Sequence, residues 1–262
     1  MPWLSEFGAL IGAHPPVGGD AESVTGAIVE VFPDGVRVDD PGAGAVEGQP
    51  AIVKFIAESA VWLNERRARV TPIAMTVGVG RTVAEFDVEL TVDESTFVLP
   101  VAVAIEPGAD SRSVWIRIYH SHWPLLGHHV VRPPLLPGDP AIRESDIVGE
   151  YQSALAAGDA DRITATFEPD GCFREPAGPQ HRVCGTATLR EFFGRFFSLG
   201  GGIILEHCTV TEDGVRTALE FNAIRWGPVD MPHQAGIAVY ERGATSRIAN
   251  TRVYDDVDPP LH

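Results

Sequence analysis

Two acids in this chain each stand directly before a proline at the end of a short strand-like stretch: Glu175 in GCFREPAG and Asp40 in GVRVDDPG. In the earlier stretch Val36, Val38 and Asp40 share one strand face, so Asp40 points where the apolar residues point. A carboxylate turned into an apolar hollow is desolvated. Its pKa rises toward neutrality, where it can take and return a proton. An acid before proline can equally close a turn by accepting backbone amides, and Asp39 beside Asp40 leaves that copy's assignment open.

Polar residues on the later strands are candidates for touching a ligand: His207, Asn222, Arg225, His233 and Asp255, walled by Trp226 and Phe192. Alternation places Glu220, Asn222 and Ile224 on one face and Phe221, Ala223 and Arg225 on the other. Only one of Asn222 and Arg225 is expected to face inward. His120, His122, His128 and His129 raise a metal hypothesis, but no HExxH, zinc-finger or carboxylate ligand spacing accompanies them, and no metal is expected. No GxGxxG or P-loop is present, so no nucleotide cofactor, and no cofactor of any other kind, is expected.

The elements that must hold these residues follow from periodicity and breakers. In the second half, helices are expected over 144–157, up to Phe167 and over 187–197, with Gly158-Asp159 ending the first and capping the next. A strand carries Cys172 to Glu175, and strands follow near 202–210, 215–226, 233–240 and 248–255. The first half reads similarly: helices over 2–13 and 21–32, a strand ending at Asp40, a helix over 50–64, and strands over 70–79, 82–92, 96–105 and 113–122. Phe32 and Phe167, Asp40 and Glu175, Phe86 and Phe221, Tyr119 and Tyr254 are each 135 positions apart. One offset returning along the chain implies two complete α+β domains. They are read as residues 1–124 and 142–262, joined by a Pro-rich linker over 125–141 whose leucines pack on the domains.

Composition bounds the rest. Thirty-six acids against 20 bases give a net charge of −16, a surface that repels phosphate backbones and anionic lipid, so neither nucleic acid nor membrane is expected as a partner. No run of about 18 apolar residues could span a bilayer and the amino terminus lacks signal-peptide character, so a cytoplasmic protein is expected. The three cysteines, Cys172, Cys184 and Cys208, are odd in number and lack CxxC spacing, and are read as buried thiols.

The run from Tyr151 through Gly158-Asp159, Phe167, Pro169-Asp170-Gly171, Glu175-Pro176 and Gly185 resembles the nuclear transport factor 2-like superfamily, nearest its ketosteroid isomerase and polyketide cyclase branch. The likeness covers 144–258 well and 21–122 more loosely. It implies two tandem cone-shaped α+β domains, each a curved, mostly antiparallel sheet wrapped around about three helices and enclosing an apolar pocket. It also implies a small hydrophobic ligand, and pairing as a pseudo-dimer within the chain or as a homodimer. By the same resemblance Glu175 and Asp40 take the place of the isomerase base, and Tyr151 that of the tyrosine donating to the enolate oxygen. Copy one departs from the pattern with Pro16 at the tyrosine position. The isomerases' second oxyanion donor, a protonated aspartate, maps near Gly236 and Val101, and neither can replace it. The implied activity is a cofactor-independent isomerase or cyclase. The alternatives are a noncatalytic binding or scaffold protein, and an epoxide-opening hydrolase whose Asp-Arg-Asp set has no match here. A catalytic domain should hold an open cavity containing Glu175. A noncatalytic one should be plugged by Phe173, Phe192, Phe193, Phe196, Phe197 and Trp226.

Overall fold

The computed structural model describes residues 35–108, 112–144 and 146–260, so the helices expected over 2–13 and 21–32 lie outside the described residues. The chain forms two compact units, the first taking in residues 35–75 and Gly80–Tyr119, the second Thr76–Val79 and His120 onward. Each contains one six-stranded sheet with helical cover.

In the first unit β1 (Gly35–Asp40), β2 (Gly44–Glu47), α1 (Gln49–Glu65), β3 (Arg69–Val77), β4 (Thr82–Val92), β5 (Ser95–Pro107) and β6 (Ser113–Tyr119) give the order β2-β1-β6-β5-β4-β3. Gly48, at φ 83, turns the chain into α1, and Pro50 occupies its first turn, where no amide partner is lost. Ile52 of α1 then packs with Val36, Val38, Ile105, Val114 and Ile116 from the sheet.

The second unit runs α2 (Trp123–Leu126), α3 (Ile147–Ala157), α4 (Ala160–Thr166), β7 (Phe167–Arg174), β8 (Arg182–Cys184), α5 (Thr186–Phe196), β9 (Ile203–Glu212), β10 (Arg216–Trp226), β11 (Val229–Arg242) and β12 (Ile248–Asp255). Its strand order, β8-β7-β12-β11-β10-β9, repeats that of the first unit strand for strand. The 135-residue offset carries β6 onto residues 248–254, which open β12. In each sheet the first long strand pairs parallel with the last, and the neighbours beyond are antiparallel.

Capping fixes the helices locally. Asp146 accepts the Val148 amide at 2.9 Å, and Asp159 accepts that of Arg162 at 2.9 Å. Between them Gly158 closes α3 at φ 70, so near the Gly201 carbonyl that a Cβ would sit 2.5 Å from its oxygen. Two elements depart from expectation. The polar loops after each Pro contain short edge strands, β2 and β8, which pair back on β1 and β7. Such three- or four-residue edges carry too few residues to show alternation.

The cysteine reading is corrected by the second of these edges. Cys172 and Cys184 are register partners across β7 and β8 and are joined as a disulfide, leaving Cys208 as a buried free thiol. A 12-residue separation in sequence says nothing of a pairing that only the hairpin register creates.

The Pro-rich segment packs on the second unit. The Leu136 carbonyl accepts Asn222 Nδ2 at 3.0 Å, the Ala235 amide donates to Arg132 O at 2.9 Å, and the Asp139 amide donates to His207 O at 2.7 Å. Ahead of these contacts, the side chain of Asp256 accepts from Ser121 Oγ (2.7 Å), the His122 amide (3.0 Å) and the Val130 amide (2.9 Å).

Candidate functional site

Parallel pairing of β7 with β12 brings their C-terminal ends to one rim of the second sheet. Arg174 stands opposite Arg252, so Glu175 follows beside Val253, and Asp255 lies two residues farther along the same face. Helices α3 and α5 cover that face with aromatic side chains. Tyr151, Phe193 and Phe167 meet edge to face, with ring centroids 6.0 to 6.2 Å apart for the two pairs involving Tyr151.

The helices do not fill the hollow of the sheet. A cavity of about 440 Å³ remains, with Leu155, Phe196, Leu205, Phe221 and Trp226 among its apolar lining. Its polar lining comprises Glu175, Asp255, Asp258, His129, His181, Tyr151 and Tyr240. This is the open arrangement, not the plugged one: Phe173, Phe193, Phe196 and Trp226 wall the space.

Burial controls the chemistry of both carboxyls. Desolvation holds Glu175 above the usual carboxylate range, opposed by the charges of His181, Arg195 and His129. The His181 Nδ1 lies 3.6 Å from Glu175 Oε2. Asp255 is deeper: desolvation pushes its pKa to about 7, the charges of Asp256 and Glu175 push the same way, and the Val257 amide and His129 pull against them. Asp255 therefore holds its proton up to near neutrality, and a charged Glu175 strengthens that hold. Tyr151 and Tyr240 stay undissociated, both raised by burial, with ring centroids 5.2 Å apart. The Tyr240 hydroxyl accepts Gln152 Nε2 at 2.6 Å, which leaves its own proton available.

Asp255 also accounts for Gly236, where the sequence shows no side-chain donor. Gly236 is its direct register partner, and a Cβ there would stand 2.8 Å from Asp255 Cβ and 2.6 Å from Phe221 Cζ. The glycine makes room for an acid supplied by the neighbouring strand.

Of the residues singled out from sequence, Glu175, Tyr151, Asp255 and Trp226 line this one cavity. The others are placed elsewhere. Asp40 Oδ1 accepts the amides of Gly42 and Ala43, each at 2.8 Å, and so closes the turn after β1. Asn222 is buried but donates to the Leu136 carbonyl. The His207 ring is half-buried, its pKa lowered by desolvation, and its own carbonyl holds the Asp139 amide. His233 is exposed beside Glu206, at 3.3 Å. Phe192 belongs to the core, its ring tilted against those of Phe173 and Phe196. Arg225 is exposed because β10 shifts register between Ala223 and Arg225, so Trp226 joins Phe221 and Ala223 on the cavity face instead. Sequence reasoning missed Tyr240, His181 and the cavity role of His129. Tyr240 alone had a signal, the alternation of Ala238 and Tyr240 along β11.

A sheet-and-helix shell around a ligand-sized apolar hollow, with acids at its rim, defines the small-molecule-pocket class of α+β domains. Residues 148–251 match the family model of the SnoaL-like domain, so the second unit is a SnoaL-like, nuclear transport factor 2-like domain, and the first repeats its strand order. Among solved structures, an LEH-like epoxide hydrolase from M. tuberculosis is 21% identical, matching 42% of this chain and 80% of its own at a TM-score of 0.36. A ketosteroid isomerase-like protein from Catenulispora acidiphila, crystallised with trimethylamine, is 13% identical over 44% of this chain and 88% of its own, TM-score 0.37. A SnoaL-like protein of unknown function from Burkholderia thailandensis is 15% identical over 40% and 88%, TM-score 0.34.

Proposed function

We propose that the second unit is a cofactor-independent proton-transfer enzyme of the isomerase or cyclase type, acting on a small, largely apolar carbonyl compound. The observation that supports this reading is that Glu175 and Asp255, two carboxyls with raised pKa, share one largely apolar cavity. Glu175 takes a proton from carbon beside the carbonyl. Asp255 keeps its proton and donates a hydrogen bond to the oxygen as charge develops there, with Tyr151 or Tyr240 as a further neutral donor. The enolate then recovers the proton from Glu175 at another carbon, or closes a ring and takes it afterwards, so the reaction needs no oxidant or second substrate.

Thermal-shift screening of apolar ketones and enones, followed by product analysis, identifies a substrate. Glu175→Gln is then expected to lower kcat by ~10²–10⁴-fold, the usual worth of a positioned general base. Full turnover by that variant removes Glu175 from the mechanism.

A further inference from the structure

His129 is not part of the SnoaL-like match, which begins at residue 148, yet it lines the same cavity as Glu175 and Asp255. It arrives from the Pro-rich segment. Trp123 packs on one side of its ring, centroids 4.9 Å apart, and Nδ1 lies 3.0 Å from Asp256 Oδ1. Asp256 is itself held ionised, burial being outweighed by hydrogen bonds from His122, His129, Ser121 and the Val130 amide. A carboxylate on Nδ1 fixes the tautomer and leaves Nε2 as the nitrogen for a ligand. Nε2 meets no hydrogen-bonding partner among the described residues.

We propose that His129 is a catalytic residue of this cavity, aimed by Asp256, and that its imidazolium Nε2–H binds the ligand oxygen on which negative charge develops. The assignment rests on the proton-transfer reading above and adds a cation to it. Burial lowers its pKa, but the hydrogen bond and charge of Asp256, just past the end of β12, and the charge of Asp258 outweigh it, with the charge of Asp255 adding to them once that acid ionises. In turn its charge lowers the pKa of both Glu175 and Asp255. His181, the other imidazole of the lining, sits toward Glu175 instead. An enolate or phenolate is the ligand chemistry such a site selects, since a neutral acid alone offers a hydrogen bond without a full charge.

The probe is para-nitrophenol, whose ionised form absorbs in the visible. Bound to the whole protein, it is expected to ionise at lower pH than when bound to His129→Gln, by about one pH unit. Asp256→Asn is expected to move the loss of phenolate binding to lower pH, because the charge that keeps His129 protonated is gone. A merely structural Asp256 would leave that profile in place. Histidine-labelled wild-type protein provides a check that needs no variant to fold: one imidazole Nε2 signal shifts when the phenol binds. An unchanged ionisation in His129→Gln, or no imidazole shift, overturns the proposal while leaving Glu175 and Asp255 untouched. No binding to the wild-type protein overturns the assignment of His129, and leaves the proton-transfer reading to the Glu175→Gln test. Full turnover by Glu175→Gln, with the His129 effects present, overturns only the proton-transfer reading.

Discussion

The residue that most distinguishes this cavity is Asp255, an acid whose proton is stabilised by its surroundings. Its folded pKa, about 7, lies above its ordinary value of 3.8, so the folded state binds an extra proton between those two values. Its contribution to stability is complete below pH 3.8 and is lost as pH rises through 7. Denaturant titrations of wild type against Asp255→Asn should therefore diverge with rising pH, the variant gaining up to about 4 kcal/mol relative to wild type by pH 8. Parallel curves would mean that Asp255 ionises freely. Gly236→Ala tests the room made for it: a Cβ within 3 Å of Phe221 and Asp255 should cost about 1–3 kcal/mol and lower ligand affinity. At this scale Glu175 was legible, because an acid before a proline at a strand end is a local pattern. Asp255 was legible only as a polar strand residue, since its depth depends on a glycine 19 positions earlier that the register sets beside it.

Two short elements hold the mouth of the cavity. The segment between Cys172 and Cys184 carries Phe173, Glu175, Pro176, Ala177 and His181, all cavity-lining, and the disulfide closes it into a loop. Closing a loop of this length stabilises by ~3 kcal/mol, and a reductant should lower Tm in the wild type but not in Cys172→Ser/Cys184→Ser. The other element, residues 121–130, hangs on Asp256, whose side chain is 2% exposed and accepts three backbone or hydroxyl hydrogen bonds besides those of the two histidines. Asp256→Asn keeps the shape but removes the charge and turns one acceptor into a donor. It should destabilise by about 3 kcal/mol and expose the Val130-Val131 stretch to thermolysin, and wild-type resistance in the variant would show that the segment is held by its other contacts. Neither anchor is visible in sequence. Asp256 and its partners lie 126 to 135 residues apart, and the cysteine pairing follows the β8 register.

At the scale of the molecule, the two units share a strand order, but their matching acids are held differently. Asp40 is occupied by the turn amides that follow it, whereas Glu175 leaves its turn free and receives His181 instead. Asp40→Asn should leave turnover unchanged within about twofold while costing ~1 kcal/mol at the turn, and a large loss of activity would restore Asp40 as a second active acid. The sequence by itself determined the duplication and, among the described residues, the order of the longer helices and strands, because breakers and hydrophobic period are local and repeat at a constant offset. It did not determine which polar residues meet. That was decided by the parallel closure of β7 on β12, by the bulge that turns Arg225 out and Trp226 in, and by the Pro-rich segment folding back to deliver His129. These are long-range pairings, and their energies depend on register and burial, quantities that exist only once the chain has closed on itself.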